Sequence, residues 1–176
     1  MMTVLDVEPE SDIDLTELIE GEEIVGPSPF NRHQSVVANL YDELRRYVKE
    51  NDLGIVPFTP LDVILEEGVN RLQPDVMFIK KENLAIVQDW IRGVPDMVAE
   101  VVSKSSVVRD TITKKAIYQR YRVPEYWIVM PEYEAIEVFA IEQGVYELFS
   151  CAVESGYVKS KIIHGLEIDA AGIFVN

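Results

Sequence analysis

The chain has little of what marks several large protein classes. It holds one cysteine, Cys151, in 176 residues, so it cannot form a disulfide within itself. It has no GxxxxGK[ST], GxSxG, HExxH or CxxC motif, and its two histidines, His33 and His164, lie far apart. A zinc or thiol enzyme is therefore disfavoured. No run of roughly 18 apolar residues occurs, which predicts no membrane span. The opening MMTVLDVEPESD lacks the basic, apolar and small-residue regions of a secretory leader. Together these absences predict a soluble protein of the reducing cytoplasm with no membrane partner.

Positive charge is also scarce. Sixteen Lys and Arg face 31 Asp and Glu, a net charge of −15, which argues against tight non-specific binding of nucleic acid. The imbalance is uneven. Residues 1–23 carry nine acids and no base, whereas residues 104–122 carry six bases and one acid, Asp110. That basic stretch reads either as a solvated helix face or as a surface turned toward phosphates.

What is present is an ordinary globular composition, 48% apolar and 27% charged, with no internal repeat, low-complexity tract or linker. A single domain over 1–176 is expected, with 1–14 a loose acidic segment. A strand is expected over Glu22–Val25, after a lead-in at Leu15–Glu20 that reads as short helix or strand. Apolar residues from Val36 to Val48 recur at helical spacing, predicting a helix over Arg32–Lys49 capped by Ser28 or Asn31. His33 falls on its apolar face and reads as a satisfied, partly buried residue. Leu61–Leu65 and Leu72–Ile79 read as a hairpin turning at Gly68 and Asn70, and Ala85–Val87 as a further short element. Then come a strand at Met97–Val102, a helix over 107–121 and a strand at Tyr126–Met130 stopped by Pro131. Short strands at Ala135–Ile141, Val145–Val153 and Tyr157–Ile163 follow, before a loop with a short helical turn. This order predicts an α/β (α+β) fold: a mixed sheet flanked by helices, with an antiparallel C-terminal extension.

Glu100 interrupts the apolar run MVAEVV, which reads as a buried strand. A buried carboxylate needs a metal, a cation or an exposed strand end; the alternative is a one-sided sheet with Glu100 in water. Asp75 follows Pro74 and opens the apolar part of its strand, and Asp62 has a similar place on the neighbouring one. Each also reads as an ordinary strand-start acid. Two carboxylates on adjacent strand ends suit Mg²⁺, which takes oxygen ligands and keeps several waters. Asp110, Lys114 and Tyr118 stand at i, i+4 and i+8 and share a helix face, either as a plain ion pair with Tyr packing or as part of a site.

The ordered set Pro74-Asp75-Val76, Glu100-Val101-Val102-Ser103, Asp110, Lys114, Tyr118 and Val123-Pro124-Glu125-Tyr126-Trp127 resembles the Uma2 (DUF820) family, which has a restriction-endonuclease-like PD-(D/E)XK core. Glu17-Leu18-Ile19-Glu20-Gly21, His33-Gln34, Pro60-Leu61-Asp62-Val63 and Gly165-Leu166-Glu167-Ile168 extend the likeness over about residues 15–174. The resemblance implies a Mg²⁺-dependent endonuclease acting on DNA, with Mn²⁺ a substitute ion. It implies Asp75 and Glu100 as metal ligands and Lys114 as catalytic lysine, with Lys115 behind it. Glu17, Asp62, Asp110 and Tyr118 would be supporting or substrate-facing groups. Val102 stands where the lysine of the (D/E)XK element is expected, Arg122 where a glycine is expected, and Met130 where an Asp is expected. Small nucleases of this core tend to pair, which implies a homodimer. The other readings are a non-catalytic interaction module on the same scaffold and a hydrolase of another phosphate-containing substrate.

Overall fold

A computed structural model of the chain describes residues 14–26 and 28–175. The segment expected to be loose, 1–14, lies outside the described residues apart from Asp14. β1 (Thr16–Ile19) and β2 (Glu22–Val25) precede the long helix α1 (Asn31–Glu50). β3 (Gly54–Ile55), β4 (Val63–Glu66), β5 (Asn70–Leu72) and β6 (Val76–Lys80) follow. A 3-10 turn over Lys81–Ile86 leads to β7 (Ile91–Arg92) and β8 (Met97–Val101). A π-helical segment, Arg109–Lys114, runs directly into α2 (Lys115–Arg120), which precedes β9 (Glu125–Met130). Then come β10 (Ala135–Glu142), β11 (Val145–Val153), β12 (Tyr157–Lys159), β13 (Glu167–Asp169) and α3 (Ala170–Ile173).

A six-stranded sheet runs β11-β10-β9-β8-β6-β3. β8 and β9 are parallel and their neighbours antiparallel, so the sheet is mixed, as expected. Parallel neighbours require a crossover, and the segment carrying α2 supplies it. β6, β8 and β9 read as nearly continuous apolar runs because they are buried on both faces. Alternate residues divide between two cores. Phe78, Ala99, Val101 and Trp127 pack toward Val36, Leu40 and Leu44 of α1. Met77, Val98, Tyr126 and Ile128 pack with Ile19, Val63, Leu72 and Tyr118. A strand alternates its side chains, so Glu100 shares the second face with Val98 and Val102.

That second face is covered by a layer the sequence did not reveal: a sheet of order β2-β1-β5-β4-β7. The run Leu72–Ile79 does not form one strand. Pro74 cannot donate to a ladder, and the chain leaves one sheet after Leu72 and enters the other at Val76. Asn70 is therefore a strand residue paired with Glu66, not part of the turn. Asp62 lies just before β4 rather than within it. Neither Ser28 nor Asn31 caps α1: Phe30 holds the cap position with no side-chain cap bond. The amphipathic face, buried at Val36, Val37, Leu40, Leu44 and Val48, stabilises that helix instead. The last segment contains a true strand, β13, which pairs with β12.

Candidate active site

The site is built where β1, β8 and the π-helical segment meet. β1 alternates, which turns Glu17 and Ile19 inward. Glu100 sits next to the last residue of β8, and Asp75 immediately precedes β6. Asp110 and Lys114 are the buried residues of the π-helical segment, and Tyr118 is buried one turn further on α2. A wider π turn in mid-helix recurs at functional sites. A cavity of about 240 Å³ is lined by Glu17, His33, Asp75, Glu100, Asp110 and Lys114 together with Arg109 and four serines.

Lys114 is the hub. Its Nζ lies 2.7 Å from Glu17 Oε1, 3.1 Å from Glu100 Oε1 and 4.0 Å from Asp110 Oδ1, and only 3% of its side chain is exposed. Lys115 points elsewhere, its Nζ 3.2 Å from the centre of the Phe139 ring. Tyr118 donates its hydroxyl to the same Glu100 Oε1 at 2.8 Å. Asp75 Oδ2 accepts the Val101 N–H at 2.7 Å and lies 3.4 Å from His33 Nε2. Asp62 is absent from the cavity wall but reaches the cluster through one residue. Gln73 donates its side chain to Asp62 at 2.8 Å and its backbone N–H to Glu17 Oε1 at 2.7 Å.

Burial opposes charge on Lys114, but Glu100, Glu17 and Asp110 outweigh it, so the ammonium is held above its ordinary range and stays charged. Burial pushes Glu100 well above the usual carboxylate range; Lys114 pulls it back in part, and Asp110, Asp75 and Glu17 push it further. Burial likewise raises Asp110, with Lys114 opposing. Tyr118 is driven well up, by burial first and then by Glu100, which keeps it a proton donor. Burial would lower His33, yet the neighbouring Asp75 raises it.

The cluster is thus rich in carboxylates and short of positive charge. Asp75 Oδ1 and Glu100 Oε2 have no hydrogen-bond partner among the described residues, and neither is sealed from solvent. Each carboxylate has one oxygen tied to the protein and one left over. Among the described residues, no group of three or more His, Cys, Asp or Glu is arranged to hold a metal ion. Two carboxylates with open oxygens suit a hard cation that keeps its waters.

Family comparison matches residues 4–171 to Uma2, described as "Putative restriction endonuclease". The chain belongs to the Uma2 family. A crystal structure of "a putative nuclease belonging to DUF820" from Anabaena variabilis shares the fold, with a TM-score of 0.74 and 17% identity over 90% of this chain and 89% of that one. No curated protein matches the chain.

Two departures from the Uma2 pattern have a local physical reading. Lys114 fills, from a different element, a place beside Glu100 that Val102 cannot. Arg122, at the expected glycine, has φ +60. Its N–H donates to Gln119 O and that of Val123 to Tyr118 O, a Schellman ending for α2 that favours glycine at this position. The basic stretch 104–122 does not form one phosphate-facing surface. Lys104 pairs with Glu132 and Arg120 with Glu20; of its six bases only Arg109 and Lys114 line the cavity. Helical rotation disperses what is contiguous in sequence. The reach of Gln73 and the contact of His33 with Asp75 carried no local sequence signal.

Proposed function

We propose that this Uma2 chain is a Mg²⁺-dependent phosphodiesterase that hydrolyses DNA, with Asp75 and Glu100 as the metal ligands. The observation that carries the reading is the buried cluster of Asp75, Glu100 and Lys114 on one cavity, with an open oxygen on each carboxylate. Mg²⁺, or Mn²⁺ in its place, would supply a Lewis acid for a phosphoryl oxygen and an acidified water as nucleophile. The chain's own groups do the rest. Lys114 and Tyr118 both bind Glu100 Oε1, which fixes the carboxylate plane and leaves Oε2 toward the cavity. The Val101 N–H does the same for Asp75. Lys114 is held charged, so it cannot accept the proton of the attacking water; it stabilises negative charge developing on the phosphate. Glu17 and, through Gln73, Asp62 hold Lys114 in place.

The test is cleavage of plasmid and oligonucleotide DNA with added Mg²⁺ or Mn²⁺. The parent cuts, and Glu100→Gln does not while remaining folded. Equal cutting by both places the activity elsewhere. The net charge of −15 favours the other reading, an interaction module, and a parent without metal-dependent cleavage selects it. A homodimer fits the same reading: edge strand β11 exposes Val145, Leu148 and Val153. Light scattering should return twice the 20.0 kDa chain mass.

A further inference from the structure

We propose that this site takes an unpaired nucleotide: the base stacks on Phe30, and its phosphate is held by the Ser103–Ser106 loop and Arg109. This rests on the nuclease reading and specifies the form of nucleic acid it acts on. The cavity wall carries two unlike features. Phe30, at the start of α1, lines the cavity and is 80% exposed. An aromatic side chain left in water at a cavity mouth is the platform on which single-stranded bases stack, whatever their sequence. Ser103, Ser105 and Ser106 also line the cavity. Ser103 Oγ is 3.1 Å from Ser105 Oγ and 3.0 Å from Ser106 Oγ, so the three gather at one place. Arg109 adjoins them. Its Nε is buried without a hydrogen-bond partner and lies 3.7 Å from Asp110 Oδ1. Hydroxyl donors beside an unsatisfied guanidinium suit a phosphate oxygen.

The dimensions and charge disfavour a closed duplex. About 240 Å³ is small beside the roughly 300–1,000 Å³ of drug-sized ligand sites, so it admits one nucleotide at a time. The carboxylates that would hold the metal there are 9% exposed at Asp75 and 3% at Glu100. A duplex reaches such groups only if a nucleotide leaves the stack, which costs unpairing energy that a single strand is spared. Duplex affinity also depends on neutralising many phosphates at once. Here the cationic side chains near the site are dispersed, and among the described residues Arg109 and Lys114 are the only Lys or Arg that line the cavity.

The experiment is a fluorescence titration with oligonucleotides carrying 2-aminopurine, with Ca²⁺ replacing Mg²⁺ to allow binding without turnover. Single-stranded DNA, single-stranded RNA and duplex DNA of one sequence are compared, alongside cleavage in Mg²⁺. The parent should bind and quench single strands and prefer them to duplex; the DNA and RNA arms show which sugar it takes. Phe30→Ala should weaken single-strand binding about tenfold, and Phe30→Trp should restore it. Tyr157→Ala, an exposed aromatic off the cavity, should change nothing. Ring loss at Phe30 removes no buried contact, so melting should be unchanged. Duplex bound and cut as well as single strands, with Phe30→Ala indistinguishable from the parent, overturns this inference and leaves the nuclease reading intact. A parent that neither binds nor cuts any nucleic acid overturns both.

Discussion

Two buried glutamates on neighbouring parallel strands show the difference between a carboxylate that staples and one that is kept available. Glu125 opens β9 and is 0% exposed; Glu100 lies near the end of β8 and is 3% exposed. Both oxygens of Glu125 are used. Oε1 accepts from Trp127 Nε1 and Ser160 Oγ, each at 2.7 Å, and Oε2 from the N–H groups of Lys161 at 2.6 Å and Ile162 at 3.2 Å. All four donors are neutral, and the three from Ser160, Lys161 and Ile162 tie β9 to the loop after β12. Glu100 is held through one oxygen by a charged lysine and a tyrosine, and its other oxygen is open. Burial alone therefore does not mark a functional carboxylate. On the proposed function, the mark is an incomplete set of partners within a cluster of excess negative charge.

The largest effect should come from removing the charge that holds the Glu100 side together. Lys114→Ala leaves Glu17, Glu100 and Asp110 buried without their shared cation, and should cost about 3–5 kcal/mol in denaturant unfolding. Glu100→Gln removes a charge and keeps the shape, so its apo stability should equal or exceed that of the parent. Equal losses from both would mean that Glu100 is as structural as Glu125.

Glu125→Ala should come next, at roughly 3 kcal/mol, because it strands buried donors that cost about 1–3 kcal/mol each when unmatched. Its titration sharpens the contrast. Burial pushes the Glu125 carboxyl above the usual range, and its donors offset only part of that. The folded value is thus above the unfolded one. The associated stability is complete below the ordinary carboxylate range and is lost as pH rises through the folded value. Melting curves recorded upward from pH 4 should decline more steeply for the parent than for Glu125→Gln, which lacks the group.

The smallest effect should be a gain. Arg122 adopts a left-handed conformation at the end of α2, where its N–H donates to the Gln119 carbonyl three residues before it. Arg122→Gly should stabilise by about 1 kcal/mol, read as a rise in melting temperature, with no change at the cavity.

How far the sequence reached follows from the range of each interaction. Glu100 was legible because a charge broke an apolar strand, and Asp110, Lys114 and Tyr118 because one helix face gathers them. The central sheet was legible because its buried strands are apolar throughout. Glu17 stood in a lead-in that reads as short helix or strand, and its contact with Lys114 spans the chain and leaves no periodic trace. His33 read as a satisfied residue; its Nε2 instead faces Asp75 and its Nδ1 has no partner. The two-sheet split at Pro74 was hidden because one proline is compatible with both an extended strand and a change of sheet. Glu125 lay inside a familiar motif, but three donors arriving from a distant loop cannot be read from VPEYW alone.

The most direct test of the contrast is thermal melting with and without Mg²⁺ for the parent, Glu100→Gln and Glu125→Gln. Binding to the folded state alone raises the melting temperature, and by more as the free ion concentration exceeds its dissociation constant. The account predicts a Mg²⁺-dependent rise for the parent and for Glu125→Gln, and none for Glu100→Gln. A rise of the same size in Glu100→Gln would contradict it.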